Sequence, residues 1–403
     1  MKVSTKRLLA AASLLVAVAM ISTGCGGGSS STTSSGPTEV KIGIGAPLTA
    51  GATALGQGMV RGAELAIEQA NASSTVTAAG LKFTPVSGDD QGDPKTGVTV
   101  ANTFASDSAL VGVMGHLNSG VSIPASKVYA DKKIVMISPA STNPALTQQG
   151  LSNVFRVCTT DAVQGPAAAD FASKLLGFKS VYVVDDSTPY GEGLAKAFAD
   201  QFTANGGKVL GSQKTSDKDS DFNALVTKIK ATNPDFIYYG GVYNAGALLA
   251  KQAKDGGIKG PLMGGDGLYD PKFIELAGAA QAEGDLATSV GLPIDKLPAG
   301  QDFLTAYSKK YPGQDPAAYD AYSYDAANVI ISAVVQAAKS VGADKVTSPA
   351  GRDEIIKNVA ATNLVGVTGP IAFDKNGDTT NKAITVYKVE GGKWIAALVP
   401  GAN

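Results

Sequence analysis

The chain has 403 residues, of which 44% are hydrophobic and 17% are charged, and its formal net charge is −1. This balance excludes the dense positive charge that binding to nucleic acid or to an anionic membrane surface requires. With one histidine and two cysteines, the sequence offers little for a zinc site or a serine–histidine–aspartate triad, and its length predicts two domains.

The N-terminus has the pattern of an exported chain. Basic residues at positions 2, 6 and 7 precede an apolar run over residues 8–21, which is too short to span a bilayer. Ser22-Thr23-Gly24-Cys25 follows and resembles a bacterial lipobox, although Ser22 stands where leucine is typical. We therefore expect a signal peptide over residues 1–24 and a lipid on Cys25, with ordinary secretion as the alternative. Removing the signal peptide takes three of the 34 basic residues, so 31 remain against 35 acidic residues.

Residues 25–38 are predicted to form a flexible tether. Glycine, serine and threonine dominate this stretch, and residues 26–37 contain no large apolar side chain. A folded domain that hangs from a lipid needs such a spacer. We therefore expect a protein of the periplasm or cell surface that is attached to the membrane by its lipid alone.

From residue 39 onward, strand and helix patterns alternate. Strands are predicted from short apolar runs, and helices from apolar residues that recur every three or four positions. The first series predicts strands at 40–44, 81–86, 110–114, 134–137 and 154–158 and helices at 59–70, 94–105 and 121–131. The second series predicts strands at 180–184, 208–211, 236–239 and 261–263 and helices at 163–176, 191–204, 222–231 and 245–255. Two series of this kind predict two α/β domains with parallel sheets.

The C-terminal part of the sequence breaks this alternation. Helices are predicted at 301–311, 321–341 and 352–361, and a hairpin joins strands at 383–389 and 394–399 around Glu390-Gly391-Gly392-Lys393. Extra helices and a terminal hairpin predict a chain that crosses between the two domains more than once.

Two polar loops form the first candidate site. Gly115-His116-Leu117-Asn118-Ser119-Gly120 follows the predicted strand 110–114, and Ser138-Pro139-Ala140-Ser141-Thr142-Asn143-Pro144 follows the strand 134–137. Each loop is expected to join a strand to a helix, which is where open α/β sheets bind ligands. Ser119, Thr142 and backbone N–H groups near a helix N-terminus suit a carboxylate. The alternative is that such turns simply favour glycine, serine, asparagine and proline.

Several enzyme motifs are incomplete. Gly43-Ile44-Gly45 lacks the third glycine of a dinucleotide-binding fingerprint, and the loop at 51–56 has Gln57 where a P-loop has lysine. Cys158 lies in an apolar strand pattern, which favours a buried and inert thiol, and His116 favours a structural role. We therefore expect a protein that is not an enzyme and that binds no cofactor and no metal.

Short motifs along the chain point to one family when they are taken in order. They are Gly43-Ile44-Gly45-Ala46-Pro47-Leu48-Thr49, Asp89-Asp90-Gln91-Gly92-Asp93-Pro94, Gly115-His116-Leu117, Gln164-Gly165-Pro166, Tyr190-Gly191-Glu192-Gly193, Tyr238-Tyr239-Gly240-Gly241 and Gly264-Gly265-Asp266-Gly267. With them, nearly the whole chain after the tether resembles the branched-chain amino-acid-binding family, the leucine/isoleucine/valine receptors that supply ABC importers. The resemblance implies a type I periplasmic-binding fold, in which two Rossmann-like lobes joined by a multi-strand hinge close over the ligand. The N-terminal lobe would contain residues 39–160 and 290–367, and the C-terminal lobe residues 161–289 and 368–403.

The resemblance also implies how the ends of an amino acid would be held. Ser119 and Thr142 would bind the carboxylate, assisted by backbone groups of Ala140. Asp266 would hold the α-ammonium group, and Tyr190 would cover it from the second lobe. Such pairing agrees with physical expectation, because an unpaired buried charge is very costly.

The side-chain pocket is where the sequence departs most from the family. Leu55, Leu117 and Tyr319 would line this pocket, but Leu55 stands where an aromatic residue is frequent. Val242 occupies a position where tyrosine is common, and the neighbouring Tyr243 is a candidate to replace it. Any one of Tyr190, Tyr243 and Tyr319 could equally be a contact between the lobes.

The same resemblance implies the partners. We expect a monomer that delivers a small amino acid, foremost a branched-chain one, to an ABC permease and its ATPase. The alternatives are a sensory ligand-binding protein and a receptor for an aromatic amino acid, an amide, urea or an aromatic acid.

Overall fold

Two β-sheets organise the part of the chain that the structure describes, residues 36–399 of a computed structural model. Residues from Pro37 onward form one compact unit. The predicted signal peptide, Cys25 and most of the predicted tether lie outside the described residues. Between residues 36 and 399, no helix has the length and hydropathy that a membrane crossing requires.

The first sheet contains five strands: β1 (Thr38–Ala46), β2 (Leu81–Asp89), β3 (Leu110–Gly115), β4 (Val135–Ser138) and β5 (Val154–Arg156). All pairs are parallel, in the order β2-β1-β3-β4-β5. The accompanying helices are α1 (Thr53–Asn71), α2 (Ser74–Ala78), α3 (Pro94–Ser106) and α4 (Ser119–Asp131). Every residue of β3 is buried, as expected for an apolar central strand that is covered on both faces.

The second sheet begins with five parallel strands: β6 (Ser180–Asp185), β7 (Lys208–Lys214), β8 (Phe236–Gly240), β9 (Leu262–Gly264) and β10 (Leu286–Val290). Its helices are α5 (Asp161–Asp170), α6 (Pro189–Ala204), α7 (Asn223–Thr232), α8 (Tyr243–Asp255), α9 (Pro271–Ala277) and α10 (Ala279–Ala282). A π-helical turn, Phe171–Leu175, continues α5. Together these elements form a second α/β layer structure.

The remaining elements return to both sheets. They are α11 (Gly300–Lys310), α12 (Asp320–Val341), α13 (Pro349–Ala360), the hairpin β11 (Asn363–Gly366) and β12 (Gly369–Ala372), and the hairpin β13 (Ile384–Glu390) and β14 (Lys393–Leu398). Helix α12 packs on α1, β3 and β4, whereas β13 pairs antiparallel with β10 and completes the order β14-β13-β10-β9-β8-β6-β7. We call the first sheet with α1–α4 and α12 the first lobe, and the second sheet with α5–α10 the second lobe.

The chain therefore passes between the lobes three times: after β5, after β10, and between β12 and β13. This arrangement confirms the predicted α/β class with two Rossmann-like lobes and a multi-strand hinge.

Two of the helices that border the lobe interface, α3 and α6, begin with a clear local signal. Asp93 accepts two backbone N–H bonds at the start of α3, and Thr188 accepts one from Gly191 at the start of α6, each followed by a proline. Proline at the first helical position loses no intrahelical bond, and the polar side chain satisfies an unpaired N–H group. Helices α1, α4 and α8 begin without a side-chain cap, and in α1 the N-cap is Ala52, whose methyl group cannot accept a hydrogen bond.

The structure corrects the element predictions at several places, which include the short helices α2, α9 and α10 and the three described next. The loop after β4 leads into a short 3₁₀ turn, Pro144–Leu146, so only the first of the two polar loops joins a strand to an α-helix. The sequence pattern misses β10, because Leu-Ala-Thr-Ser-Val buries two polar residues that do not read as a core strand. It also misses the hairpin of β11 and β12, whose strands have four residues each and bury two positions at most.

Candidate functional site

The loop after β3 brings Leu117 and Ser119 to the carboxyl edge of the first sheet. Ser119 is the first residue of α4 and is buried. The N-cap residue, Asn118, makes no side-chain cap, and its buried Oδ1 atom lacks a hydrogen-bond partner among residues 36–399. The start of α4 therefore keeps N–H donors and the positive end of its dipole for an anion.

The loop after β4 is bonded directly to the first loop. The Ser141 hydroxyl donates to the carbonyl of Leu117 at 2.9 Å, and the backbone N–H of Asn143 donates to the Ser119 hydroxyl at 3.2 Å. Between them, Thr142 is fully buried, and its hydroxyl oxygen has no partner in the described part of the chain. Buried polar atoms are nearly always paired, so this hydroxyl is available to a ligand.

Arg156, at the end of β5, fixes the second loop from beneath. Its side chain is fully buried, and Nη1 donates to the carbonyls of Ser141 at 2.7 Å and Asn143 at 2.9 Å. Nε donates to Asp378 Oδ1 at 2.5 Å, and Nη2 donates to the Thr147 hydroxyl at 2.7 Å. Because Asp378 lies between β12 and β13, this one guanidinium ties the loop to a segment that crosses between the lobes.

His116 has the structural role that the sequence indicates. Its ring is fully buried, with Nδ1 2.7 Å from Asp90 Oδ2 and Nε2 2.9 Å from the Tyr129 hydroxyl. Both nitrogens are therefore used in holding the first loop. Between residues 36 and 399, no three histidine, cysteine, aspartate or glutamate side chains come together as metal ligands. Cys158 is a buried free thiol, as predicted, and burial raises its pKa above the ordinary range.

The buried carboxylate of Asp266 and Tyr190, both on the second lobe, form the facing wall together with Tyr319, which precedes α12. The Tyr190 hydroxyl donates to Asp266 Oδ1 at 2.9 Å, and the Tyr319 hydroxyl donates to Oδ2 at 2.5 Å. The backbone N–H of Gly267 donates in turn to the Tyr190 oxygen at 3.0 Å. Burial raises the pKa of Asp266, and the two tyrosine hydrogen bonds oppose this increase. The Asp266 side chain is therefore held by two hydroxyl donors.

A narrow cavity of about 20 Å³ lies between these loops and this wall. Its lining residues are Leu55, Leu117, Asn118, Ser119, Ala140, Tyr190, Val242, Gly267 and Tyr319. Three predicted site residues, Thr142, Asp266 and Tyr243, lie outside this lining. Asp266 stands behind the hydroxyls of Tyr190 and Tyr319, and Thr142 lies deeper in its loop. The cavity therefore joins an apolar side to a polar rim.

Asp161 is a potential site residue that the sequence analysis missed. It is 1% exposed, and neither of its carboxylate oxygens has a hydrogen-bond partner among the described residues. Its backbone N–H donates to the carbonyl of Thr142 at 2.9 Å. Burial raises the pKa of Asp161 to about 8 despite the nearby Thr142 hydroxyl, and the charge of Asp266 contributes to the increase. The available signal was an acidic residue after the predicted strand 154–158, at the same sheet edge as the two polar loops.

Direct contacts join the lobes around the cavity. The backbone N–H of Ala54 donates to the Tyr243 hydroxyl at 3.1 Å, and Asn143 Nδ2 donates to the carbonyl of Pro189 at 2.5 Å. The bond from Tyr319 to Asp266 also crosses, since Tyr319 immediately precedes α12 of the first lobe. The structure is thus a closed arrangement in which the cavity is covered from both sides.

Comparison with known proteins gives the same family from sequence and from structure. A family model described as periplasmic binding protein matches residues 39–393. The Leu/Ile/Val-binding protein homolog 1 of Brucella abortus (strain 2308) is 35% identical over 355 residues, which cover 88% of this chain and 91% of that protein.

Two solved structures are similar over the same range. A leucine-binding protein, LivK, from Thermotoga maritima aligns with a TM-score of 0.80 and 32% identity and covers 89% of this chain and 98% of its own. The branched-chain amino-acid transporter substrate-binding protein LivJ from Streptococcus pneumoniae, in complex with isoleucine, aligns with a TM-score of 0.79 and 27% identity and covers the same shares.

Proposed function

Since the chain belongs to the periplasmic binding proteins of the branched-chain amino-acid transporter type, we propose that it captures one branched-chain amino acid between its lobes. Members of this family are binding proteins and not enzymes. The observation that carries the proposal is the placement of polar groups around the closed cavity: Ser119 at the start of α4 lines one side, and Tyr190 and Tyr319, which bond to the buried Asp266, line the other.

A free amino acid has the charges that such a cavity would pair. Ser119, Thr142 and backbone groups of Ala140 would bind its carboxylate next to the positive end of α4. Asp266 would hold the α-ammonium group together with Tyr190. A zwitterion that leaves water needs both charges paired, and each hydrogen bond to a charged group contributes about 1.5–3 kcal/mol.

The apolar side of the cavity supports a small aliphatic side chain. Leu55, Leu117 and Tyr319, all predicted for this pocket, would contact it together with Val242. In this closed form the cavity has a volume of about 20 Å³, so the residues that line it would have to separate to admit an amino acid.

Binding would depend on closure of the lobes. Residues 39–160 with 290–367 would move against residues 161–289 with 368–403 about the three crossings. Only the closed form offers contacts from both sides, so the ligand stabilises this form by its differential affinity.

Delivery and location are the further parts of the proposal. We expect the closed form to dock as a monomer on an ABC permease that works with an ATPase, because the relatives belong to transporters of this type. The N-terminal pattern that ends at Cys25 supports export followed by lipid anchoring in the periplasm or at the cell surface.

A ligand panel tests the proposed substrate class. The unit from Pro37 onward would be heated with amino acids, amides, urea or aromatic acids while its unfolding is recorded. A ligand that binds the native state alone adds about 4 kcal/mol at a thousandfold excess over Kd. We expect a higher Tm with leucine, isoleucine or valine. A shift only with carboxylates that lack an α-amino group would overturn the role of Asp266.

We also predict that binding of L-leucine releases a proton near neutral pH. Asp161, whose pKa is about 8 without ligand, holds its proton at pH 7, and a nearby ammonium group would lower that pKa and expel the proton. Up to about one proton should leave per leucine, and affinity should rise up to about tenfold per pH unit between pH 6 and 8. Calorimetry in buffers of different ionisation enthalpy measures this release.

Two matched variants test whether the released proton comes from Asp161. Asp161→Asn should abolish the release. Asp285→Asn should preserve it, because Asp285 is buried with a pKa that is also about 8 but bonds to Leu262 at the amino end of the second sheet. Leucine binding without proton release in the unmodified protein would contradict an ammonium group beside Asp161.

A further inference from the structure

Helix α1 begins at the lobe interface without a cap of its own. Its N-cap is Ala52, and no side chain of the first lobe accepts a bond at this end. Thr53 donates to the carbonyl of Gly51, and the first bond of the helical ladder runs from Gly56 to Ala52. The N–H group of Ala54 lies between these two bonds and belongs to the set that a helix leaves unpaired at its start.

The missing acceptor comes from the other lobe. The Tyr243 hydroxyl accepts the Ala54 N–H at 3.1 Å. Tyr243 is the first residue of α8, is 4% exposed, and follows Val242, which lines the cavity. Because the donor and the acceptor lie on different lobes, the bond exists only while the lobes are closed.

We propose that Tyr243 is a positioning residue that latches the closed form by capping α1 across the interface, without touching the ligand. The latch favours closure before any ligand is present, and it slows reopening afterwards. The effect of the latch on closure without ligand can be tested on the protein alone. Its effect on ligand release rests on the proposed function.

Tyr243→Phe removes the hydroxyl and keeps the ring. Lobe separation without ligand would be measured by electron–electron resonance between spin labels on Lys127→Cys and Lys228→Cys, two exposed sites on opposite lobes of the unit from Pro37 onward. Cys158 is buried and should not take up a label. We expect Tyr243→Phe to shift the distance distribution towards more open forms.

Ligand kinetics give the second readout, with L-leucine as the probe. A hydrogen bond of ordinary net strength predicts that Tyr243→Phe raises the dissociation rate by about three- to tenfold and leaves the association rate almost unchanged. Tyr324→Phe is the matched control, because the Tyr324 hydroxyl bonds to Gln69 within the first lobe. This control should alter neither the distances nor the dissociation rate.

A second substitution separates a latch from a general packing role. Ala52→Ser would give α1 a cap of its own. The serine hydroxyl would accept a backbone N–H group at the start of α1, so closure of the lobes would no longer be needed to pair it. The effect of Tyr243→Phe should then shrink in the Ala52→Ser background. Unchanged distances in Tyr243→Phe, or fully additive effects of the two substitutions, would overturn the proposal. If L-leucine does not bind at all, the proposed function fails, but the distances without ligand still decide whether the latch exists.

Discussion

Asp266→Asn is expected to weaken L-leucine binding by a factor on the order of 100 to 1,000 while the protein remains folded. The carboxylate of Asp266 is buried, and the hydroxyls of Tyr190 and Tyr319 bond to its side-chain oxygens. An asparagine of the same shape would leave the ligand ammonium buried without its counter-charge. Isothermal titration at pH 7 measures the loss.

Stability separates lost binding from lost folding. Because burial raises the pKa of Asp266, the ionised form is disfavoured in the folded protein, and this penalty appears as the pH rises through the folded-state pKa. Asp266→Asn removes the penalty, so the ligand-free variant should unfold at the same temperature as the unmodified protein or a higher one. Asp285→Asn, the buried aspartate at the amino end of the same sheet, should bind leucine normally. Equal affinities of the two variants would exclude the ammonium role of Asp266.

Arg156→Met is expected to lower the free energy of unfolding by about 3–5 kcal/mol, the usual loss when one partner of a buried ion pair is removed. The substitution leaves Asp378 without its cation and the carbonyls of Ser141 and Asn143 without donors. Urea unfolding of the ligand-free protein measures the change. Since the same guanidinium fixes the loop that contains Thr142, leucine affinity should fall as well.

An exposed ion pair provides the control for Arg156. Lys133 and Asp353 meet at 2.8 Å with about half of each side chain exposed. Lys133→Met should change stability by no more than about 1 kcal/mol, because exposed pairs are screened by water. A loss from Arg156→Met as small as that of the control would mean that the loop and the crossing segment do not depend on the guanidinium.

The sequence predicted the strands well where every residue of the strand is buried. β3 and β8 are unbroken apolar runs, and such runs have few alternatives in an α/β chain. β10 was missed because it contains a buried threonine, Thr288, whose hydroxyl is satisfied by a tertiary contact with the carbonyl of Gly264. Local pattern cannot reveal a partner that lies many residues away.

Within the candidate site, the direction in which a side chain points was harder to predict than the place of its residue in the fold. Val242 and Tyr243 are adjacent, yet Val242 lines the cavity while Tyr243 begins α8 and bonds to the other lobe. A helix turns by about 100° per residue, so neighbours at its start point to different surroundings. Asp161 escaped notice for a related reason: its importance lies in its unpaired burial, which depends on how α5 packs.

The threefold crossing of the chain has a consequence for how the protein is made. A chain synthesised from its N-terminus contains all five strands of the first sheet by residue 156, but α12, which covers β3 and β4, ends only at Val341. The second sheet is completed even later in synthesis, since β13 and β14 end at residues 390 and 398. Pairings over such separations form slowly, so neither lobe can be completed early in translation. For most of its synthesis, the nascent chain therefore lacks the elements that complete either lobe.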